Sequence, residues 1–203
     1  MGLEACNLRM SFKFYAKHSN RKESPDSGGK PDTVAPGRTG LQESYTLPKR
    51  KRTRMAVCTY NALTLASEAA IQGLMMQAKK IKYDVIGLTE TRRRHPLNAV
   101  YETGEELLLG TCDSRGVGGV GVLVNMRTAK NIDSFEQLTT RIGRLRMRRC
   151  GPTPALTIFV AYAPTSSYEE EVEAFNMDLE KCYREDHAFY KVIIGGINAK
   201  IGP

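Results

Sequence analysis

Near the end of the sequence stands Ile194-Gly195-Gly196-Ile197-Asn198-Ala199-Lys200-Ile201-Gly202, directly after the run Tyr190-Lys191-Val192-Ile193. A short β-branched run suits a buried strand, and the glycine pair with the following polar residue marks the turn at its end. Working back from this stretch, the same pattern recurs twice: residues 55–60 run into Asn61, and residues 84–89 into Glu90. Between those two strands Ser67 is placed to cap a helix. Ile71, Leu74, Met75, Ala78 and Ile81 recur there at helical spacing, with Gln72, Gln77, Lys79 and Lys80 on the other face. Residues 118–125 read as a glycine-interrupted strand. Arg144-Leu145-Arg146-Met147-Arg148 alternates at period two, which points Leu145 and Met147 inward and the arginines outward. Residues 156–162 form a further apolar strand. A helix from about Tyr168 then carries the apolar face Val172, Phe175, Leu179 and Cys182 into the last strand, 190–194. The order is β-α-β, then β strands, then β-α-β, with no internal repeat, which places the chain in the α/β class.

The length of 203 residues suits one domain. Thirty Lys+Arg against 22 Asp+Glu leave a net charge of +8, which directs attention to an acidic partner such as nucleic acid. Cys6, Cys58, Cys112, Cys150 and Cys182 are odd in number and never form a Cys-x-x-Cys pair. That argues against a disulfide framework or a zinc site, and for reduced thiols in an intracellular compartment. No run of about 18 apolar residues occurs, so no membrane span is expected, and the N-terminus lacks the features of a signal peptide. Residues 16–48 are rich in Ser, Gly, Pro, Lys and Asp, with too little apolar surface to offset the entropy of ordering. A disordered basic arm over 1–53 and a folded domain over 54–203 are therefore expected. The cluster Lys49-Arg50-Lys51-Arg52 at the end of the arm reads as a nuclear-localisation signal, a phosphate-contacting segment or a solvated linker. The corresponding location is the nucleus, or otherwise the cytoplasm.

Asn61, Glu90 and Asn198 each follow an apolar strand, and residues at strand ends converge at one rim of a sheet. Glu90 could supply the one carboxylate that a hard cation such as Mg²⁺ needs beside phosphate and water, or be an ordinary solvated acid. The two asparagines could equally be turn or cap residues. Arg92, Arg93 and Arg94 suit bidentate phosphate contacts, or form a solvated loop.

Tyr60-Asn61, Leu88-Thr89-Glu90-Thr91-Arg92, Ala161-Tyr162-Ala163-Pro164 and Ile194-Gly195-Gly196-Ile197-Asn198-Ala199 stand in the order and rough spacing of successive motifs of the endonuclease/exonuclease/phosphatase superfamily. More narrowly, residues 65–94 and the stretch Gly116-Val117-Gly118-Gly119-Val120-Gly121-Val122 resemble the endonuclease domain of RTE-type non-LTR retrotransposons and the craniofacial development protein 2-like proteins. The resemblance covers about residues 54–203. It implies an α+β sandwich, a four-layer fold of two packed sheets flanked by helices, and Mg²⁺-dependent hydrolysis of DNA phosphodiester bonds. Carried over residue by residue, it makes Glu90 the main metal-binding carboxylate, with Asn61 organising the metal-phosphate site. Tyr162 would lie close to the scissile phosphate, and Asn198 would orient the attacking water or the phosphate.

Two departures qualify that implication. Gly196 stands where the pattern has an aspartate and Ile197 where it has an aromatic residue; loss of a general base costs about 10²- to 10⁴-fold in rate. The sequence also stops before the later strands and the Asp-His pair of the pattern, and His18, His95 and His187 do not match that pair. The expectation is an incomplete sandwich that exposes an apolar sheet face and an unpaired strand edge open to association, with Mg²⁺ binding weakened or lost. Three functions are compatible with this: an impaired endonuclease-like domain, a non-catalytic nucleic-acid-binding remnant, or a fragment without function. A phosphatase of phospholipid or inositol substrates shares the four motifs, and the basic arm favours nucleic acid over it.

Overall fold

The computed structural model describes residues 10–11, 55–150, 155–164 and 169–196. Lys49, Arg50, Lys51, Arg52, Tyr168 and Asn198 lie outside the described residues. The elements run β1 (Met10–Ser11), β2 (Ala56–Asn61), α1 (Glu68–Ala78), β3 (Val85–Thr89), β4 (Leu97–Val100), β5 (Glu106–Leu109), β6 (Val120–Val124), α2 (Met126–Ala129), β7 (Ile132–Thr139), β8 (Ile142–Met147), β9 (Leu156–Tyr162), α3 (Glu169–Glu185) and β10 (Tyr190–Gly196).

The strands form two sheets, one in the order β1-β2-β3-β6-β5-β4 and one in the order β10-β9-β8-β7. β2 and β3 are parallel and joined through α1, and β9 and β10 are parallel and joined through α3. Each is the βαβ unit that the sequence order implies, because parallel neighbours need a crossover. The remaining pairs are antiparallel. Three apolar clusters define four layers. Ile71, Leu74, Met75 and Ala78 of α1 pack on Ile86, Leu88, Leu107 and Leu123 of the first sheet. Val57, Val85, Val120 and Val122 face Leu145, Ile158, Val160 and Ile194 between the sheets. Phe175 of α3 packs with Ile142, Phe159 and Ala161 on the outer face of the second sheet.

This arrangement corrects one expectation: the outer face of each sheet is covered by a helix rather than laid bare. What stays open among the described residues is strand edges: β1 and β4 end the first sheet and β10 and β7 the second, each with one strand neighbour. A smaller correction concerns α1, which starts at the expected cap, the Ser67 hydroxyl accepting from the Ala70 N–H at 3.3 Å. It ends at Ala78, so Ile81 lies beyond it. The Lys80 and Ile81 N–H groups reach back three residues to Gln77 and Ala78, a tighter turn that still tucks Ile81 against the α1 cluster.

Leu145 and Met147 are buried as expected. The arginines on the other side of β8 are structural. Asp186, at the end of α3, is almost completely buried; its carboxylate accepts from Arg146 Nε at 3.3 Å and Nη2 at 3.1 Å, from Thr157 Oγ1 at 3.2 Å and from the Ala188 N–H at 2.9 Å. Arg144 Nη1 lies 3.5 Å from the same carboxylate, and its Nη2 is 2.5 Å from Glu136. The cluster ties the α3–β10 connection to β8 and β9, and so sets where β10 begins.

Candidate functional site

β2, β3, β9 and β10 point the same way in their parallel pairs, with Asn61 beside Thr89 and Tyr162 beside Gly196. Their C-terminal ends therefore share one rim of the sandwich, and four of the residues singled out in the sequence meet there. The Asn61 amide donates to Glu90 Oε1 at 2.6 Å, the Arg92 guanidinium to Glu90 Oε2 at 2.8 Å, and the Tyr162 hydroxyl to the same carboxylate. Glu90 is 9 % exposed, so these donors replace water it has largely lost. Burial alone raises its pKa, but the bonds from Asn61, Tyr162 and Arg92, with the charge of Arg92, outweigh burial and hold the carboxyl below its ordinary range. Burial also raises the Tyr162 pKa, and its bond to the Glu90 anion and that negative charge raise it further. Tyr162 is a donor here, not a base.

Backbone geometry singles out the same rim. Leu63, Glu90 and Arg92, at φ of 54°, 54° and 50°, are the non-glycine residues with positive φ among the described residues, and all three lie at these strand ends. Such a conformation costs on the order of 1–3 kcal/mol per residue and persists only where the surroundings enforce it. The enforcing contacts are visible. The Leu63 N–H bonds to Asn61 Oδ1 at 3.0 Å, Ala62 N–H to Thr89 O at 2.9 Å, and Leu65 N–H to Thr91 O at 2.8 Å. Thr91 and Arg92 N–H groups bond to the carbonyls of Gly119 and Gly118, each at 3.1 Å. A Cβ on Gly119 would come within 2.4 Å of Thr91 Oγ1 and 3.0 Å of Arg92 N, so only glycine lets this support approach closely enough.

Arg141 is a member of the site that the sequence reading missed. Its guanidinium lies over the Tyr162 ring, 5.4 Å from the centroid, and its Nη1 is buried without a hydrogen-bond partner. The Arg141 carbonyl accepts from the Tyr162 N–H at 2.9 Å, which fixes the two residues together. No sequence signal marked it, since it sits in a polar turn, Thr139-Thr140-Arg141, before an alternating strand. The three arginines after Glu90 separate in role. Arg92 binds Glu90, Arg94 is exposed, and Arg93 donates to the Leu65 carbonyl at 2.8 Å and the His95 carbonyl at 3.4 Å, bracing the loop.

Gly196 ends β10 beside Tyr162. A Cβ there would stand 3.5 Å from Tyr162 Cδ2, ordinary contact, facing the site. The donor set does not fit Mg²⁺ as it stands. Glu90, the carboxylate that would have to hold it, is engaged by three donors and neutralised by Arg92. A cleft of about 680 Å³ at the opposite end of β2 and β3, near Lys79, Lys82 and Arg127, contains Asp84. That carboxylate is committed to the Ala56 N–H at 2.7 Å and to Asn125 and Thr128 at 3.2 Å each, so the cleft is braced structure rather than a second reactive centre. Among the described residues no helix is long and apolar enough to cross a membrane.

No family model matches this sequence, and no curated protein matches it. Several solved structures are similar to it, among them the following three. The AP endonuclease LMAP from Leishmania major is 15% identical with a TM-score of 0.49, over 68% of this chain and 54% of that one. The endonuclease domain of TRAS1, a telomere-specific non-LTR retrotransposon, is 17% identical with a TM-score of 0.49, over 71% and 59%. An endonuclease/exonuclease/phosphatase family protein from Leptotrichia buccalis C-1013-b is 14% identical with a TM-score of 0.43, over 68% and 64%. The chain thus spans between 54% and 64% of the length of these proteins.

Proposed function

We propose that this chain is an endonuclease-like domain of retrotransposon type whose rim binds the phosphodiester backbone of DNA, and whose hydrolytic activity is impaired. The observation that carries the reading is the shared rim. Four strand ends bring Asn61, Glu90 and Tyr162 into one hydrogen-bonded group beside the guanidinium groups of Arg92 and Arg141. Arg141 supports a phosphate partner because its guanidinium, held over the Tyr162 ring, adds a second positive charge beside Arg92 at the rim. Arg94, exposed on the adjoining loop, extends the positive rim. The Lys49-Arg50-Lys51-Arg52 cluster adds phosphate contacts or a nuclear address to the same reading.

The impairment follows from the chemistry left at the rim. Hydrolysis needs a group that takes a proton from the attacking water, and the side chains assembled here do not supply it. Glu90 is held ionised but is engaged by three donors and paired with Arg92, Tyr162 is held protonated, and Gly196 has no side chain. In this reading Mg²⁺ binding is weakened with the rest of the machinery, and Asn198 retains its role of orienting the phosphate.

Two assays on the full chain test the proposal. Duplex DNA binding is expected to weaken steeply with salt, with the slope of log K against log salt reduced by about 0.9 in Arg141→Gln, the loss of one phosphate contact. Binding that ignores salt would remove the nucleic-acid reading. In a plasmid-nicking assay with Mg²⁺ the chain is expected to be silent; robust nicking abolished by Glu90→Gln would overturn the impairment.

A further inference from the structure

We infer that the Arg92 guanidinium is a resident counter-ion of Glu90, occupying the position a divalent cation would need, so that the rim is built to take phosphate without metal. The inference deepens the reading of the rim as a phosphate site and rests on it for the ligand class alone.

An ionised carboxylate offers about four lone-pair positions. Asn61, Arg92 and Tyr162 donate to those of Glu90, and the guanidinium also cancels its charge. A salt bridge with one half-exposed partner is ordinarily weak, because two long side chains must be ordered to form it. Here much of that ordering is already done by the backbone. Glu90 and Arg92 both hold positive φ, the peptide groups of Thr91 and Arg92 are fastened to Gly119 and Gly118, and the Gly119 N–H is fastened to the Thr140 carbonyl at 2.8 Å. The close approach at Gly119 leaves the loop little room to shift. The two side chains are thus presented to each other by a braced loop.

Charge leads to the same conclusion. Arg92 and Arg141 against Glu90 leave the assembled rim with an excess positive charge, which repels a divalent cation and attracts phosphate. Mg²⁺ also demands near-octahedral oxygen ligands and gives up its water reluctantly. To take more than the one lone-pair position left on Glu90 it would have to expel the guanidinium and then remain beside it.

The test uses Mn²⁺ as the probe, with free ion read by electron paramagnetic resonance on the full-length protein at low salt. Arg92→Asn is the chosen variant, since asparagine tolerates the left-handed backbone at this position. Arg92→Asn is expected to bind Mn²⁺ at one site about tenfold more tightly than the unaltered protein, and Arg92→Asn with Glu90→Gln is expected to lose that gain. Arg92→Lys, which keeps the charge, is expected to bind like the unaltered protein. An Arg92→Asn affinity within twofold of the starting one overturns the inference, as does a gain that survives Glu90→Gln. DNA affinity in EDTA is measured in parallel. If DNA binding is absent while the Mn²⁺ result holds, the phosphate reading fails and the counter-ion assignment stands.

Discussion

Alanine placed at the two adjacent glycines of the final strand is expected to have opposite effects. At Gly196 a Cβ meets only the edge of the Tyr162 ring, 3.5 Å from Cδ2 and 3.9 Å from Cε2, and the backbone there has no glycine-only torsion. Gly196→Ala is therefore expected to stabilise by about 0.4–1 kcal/mol, chiefly by restricting the unfolded chain. At Gly195, φ is 135° and a Cβ would lie 1.8 Å from the Ala161 carbonyl oxygen, with the Ala161 C and N at 2.8 and 3.0 Å. These obstacles are backbone atoms of β9, a strand paired on both sides, and cannot rotate away. Strain of about 1–3 kcal/mol and overpacking of a further 1–3 kcal/mol give a loss of about 2–6 kcal/mol for Gly195→Ala. Urea unfolding followed by circular dichroism and tyrosine fluorescence measures both, since the chain has nine tyrosines and no tryptophan. Equal stability of the two variants, or greater damage from Gly196→Ala, would show that β10 is not registered on β9 as described and would undo the placement of Gly196 beside Tyr162. The same geometry accommodates Gly196→Asp, which is expected to fold and to carry its carboxylate to the rim.

Three further outcomes follow from the charged groups. Tyr162→Phe removes one donor from the Glu90 anion and is expected to raise the Glu90 pKa, read as an upward shift of its carboxyl ¹³C titration midpoint, with a stability loss of about 1 kcal/mol. The carboxyls of Asp186, Glu136 and Glu90 all sit below their ordinary range, where the unfolded chain binds more protons than the folded one. Their contribution is accordingly complete at neutral pH and lost as pH falls below the ordinary carboxyl range through the folded values; Asp186→Asn is expected to flatten that acid limb in pH-dependent unfolding. Asp186→Ala leaves Arg144 and Arg146 without their shared acceptor and is expected to cost about 3–5 kcal/mol in the same denaturation assay, whereas loss of the exposed Arg148–Asp133 pair changes stability by less than about 1 kcal/mol.

Legibility in the sequence followed burial only in part, since β5, buried at Leu107, Leu108 and Leu109, is too short a run to show a period and was missed. β3 and β9 are buried at every position, and their apolar runs cannot be mistaken. β4 and β7 were invisible for the opposite reason. Both lie at sheet edges with half-exposed side chains, and β7, Ile-Asp-Ser-Phe-Glu-Gln-Leu-Thr, carries two register shifts that break period two. At the site, Asn61 and Glu90 were legible because each follows an apolar strand, whereas Tyr162 entered only through the resemblance of the Ala161-Tyr162-Ala163-Pro164 motif. Arg141 was not, because its role depends on the Tyr162 ring lying 5.4 Å from its guanidinium, a contact between turns and strand ends distant in the chain. The division of labour among Arg92, Arg93 and Arg94 was equally hidden. Three consecutive identical side chains point in different directions once Arg92 adopts positive φ.

Gly196 and Arg92 bear on the same electrostatic problem. Two carboxylates facing one another across a rim raise each other's pKa and need a cation between them to remain ionised. With glycine at 196, Glu90 has no such neighbour at that position, and one guanidinium suffices to neutralise it. The carboxylate of the rim is then satisfied by Asn61, Tyr162 and Arg92. The guanidinium of Arg141 stays beside Tyr162, with its Nη1 lacking a hydrogen-bond acceptor. On the proposed reading, the missing acid thus removes the demand for a cation more completely than it removes the affinity for an anion, which is why DNA binding and plasmid nicking are expected to part company in the two assays.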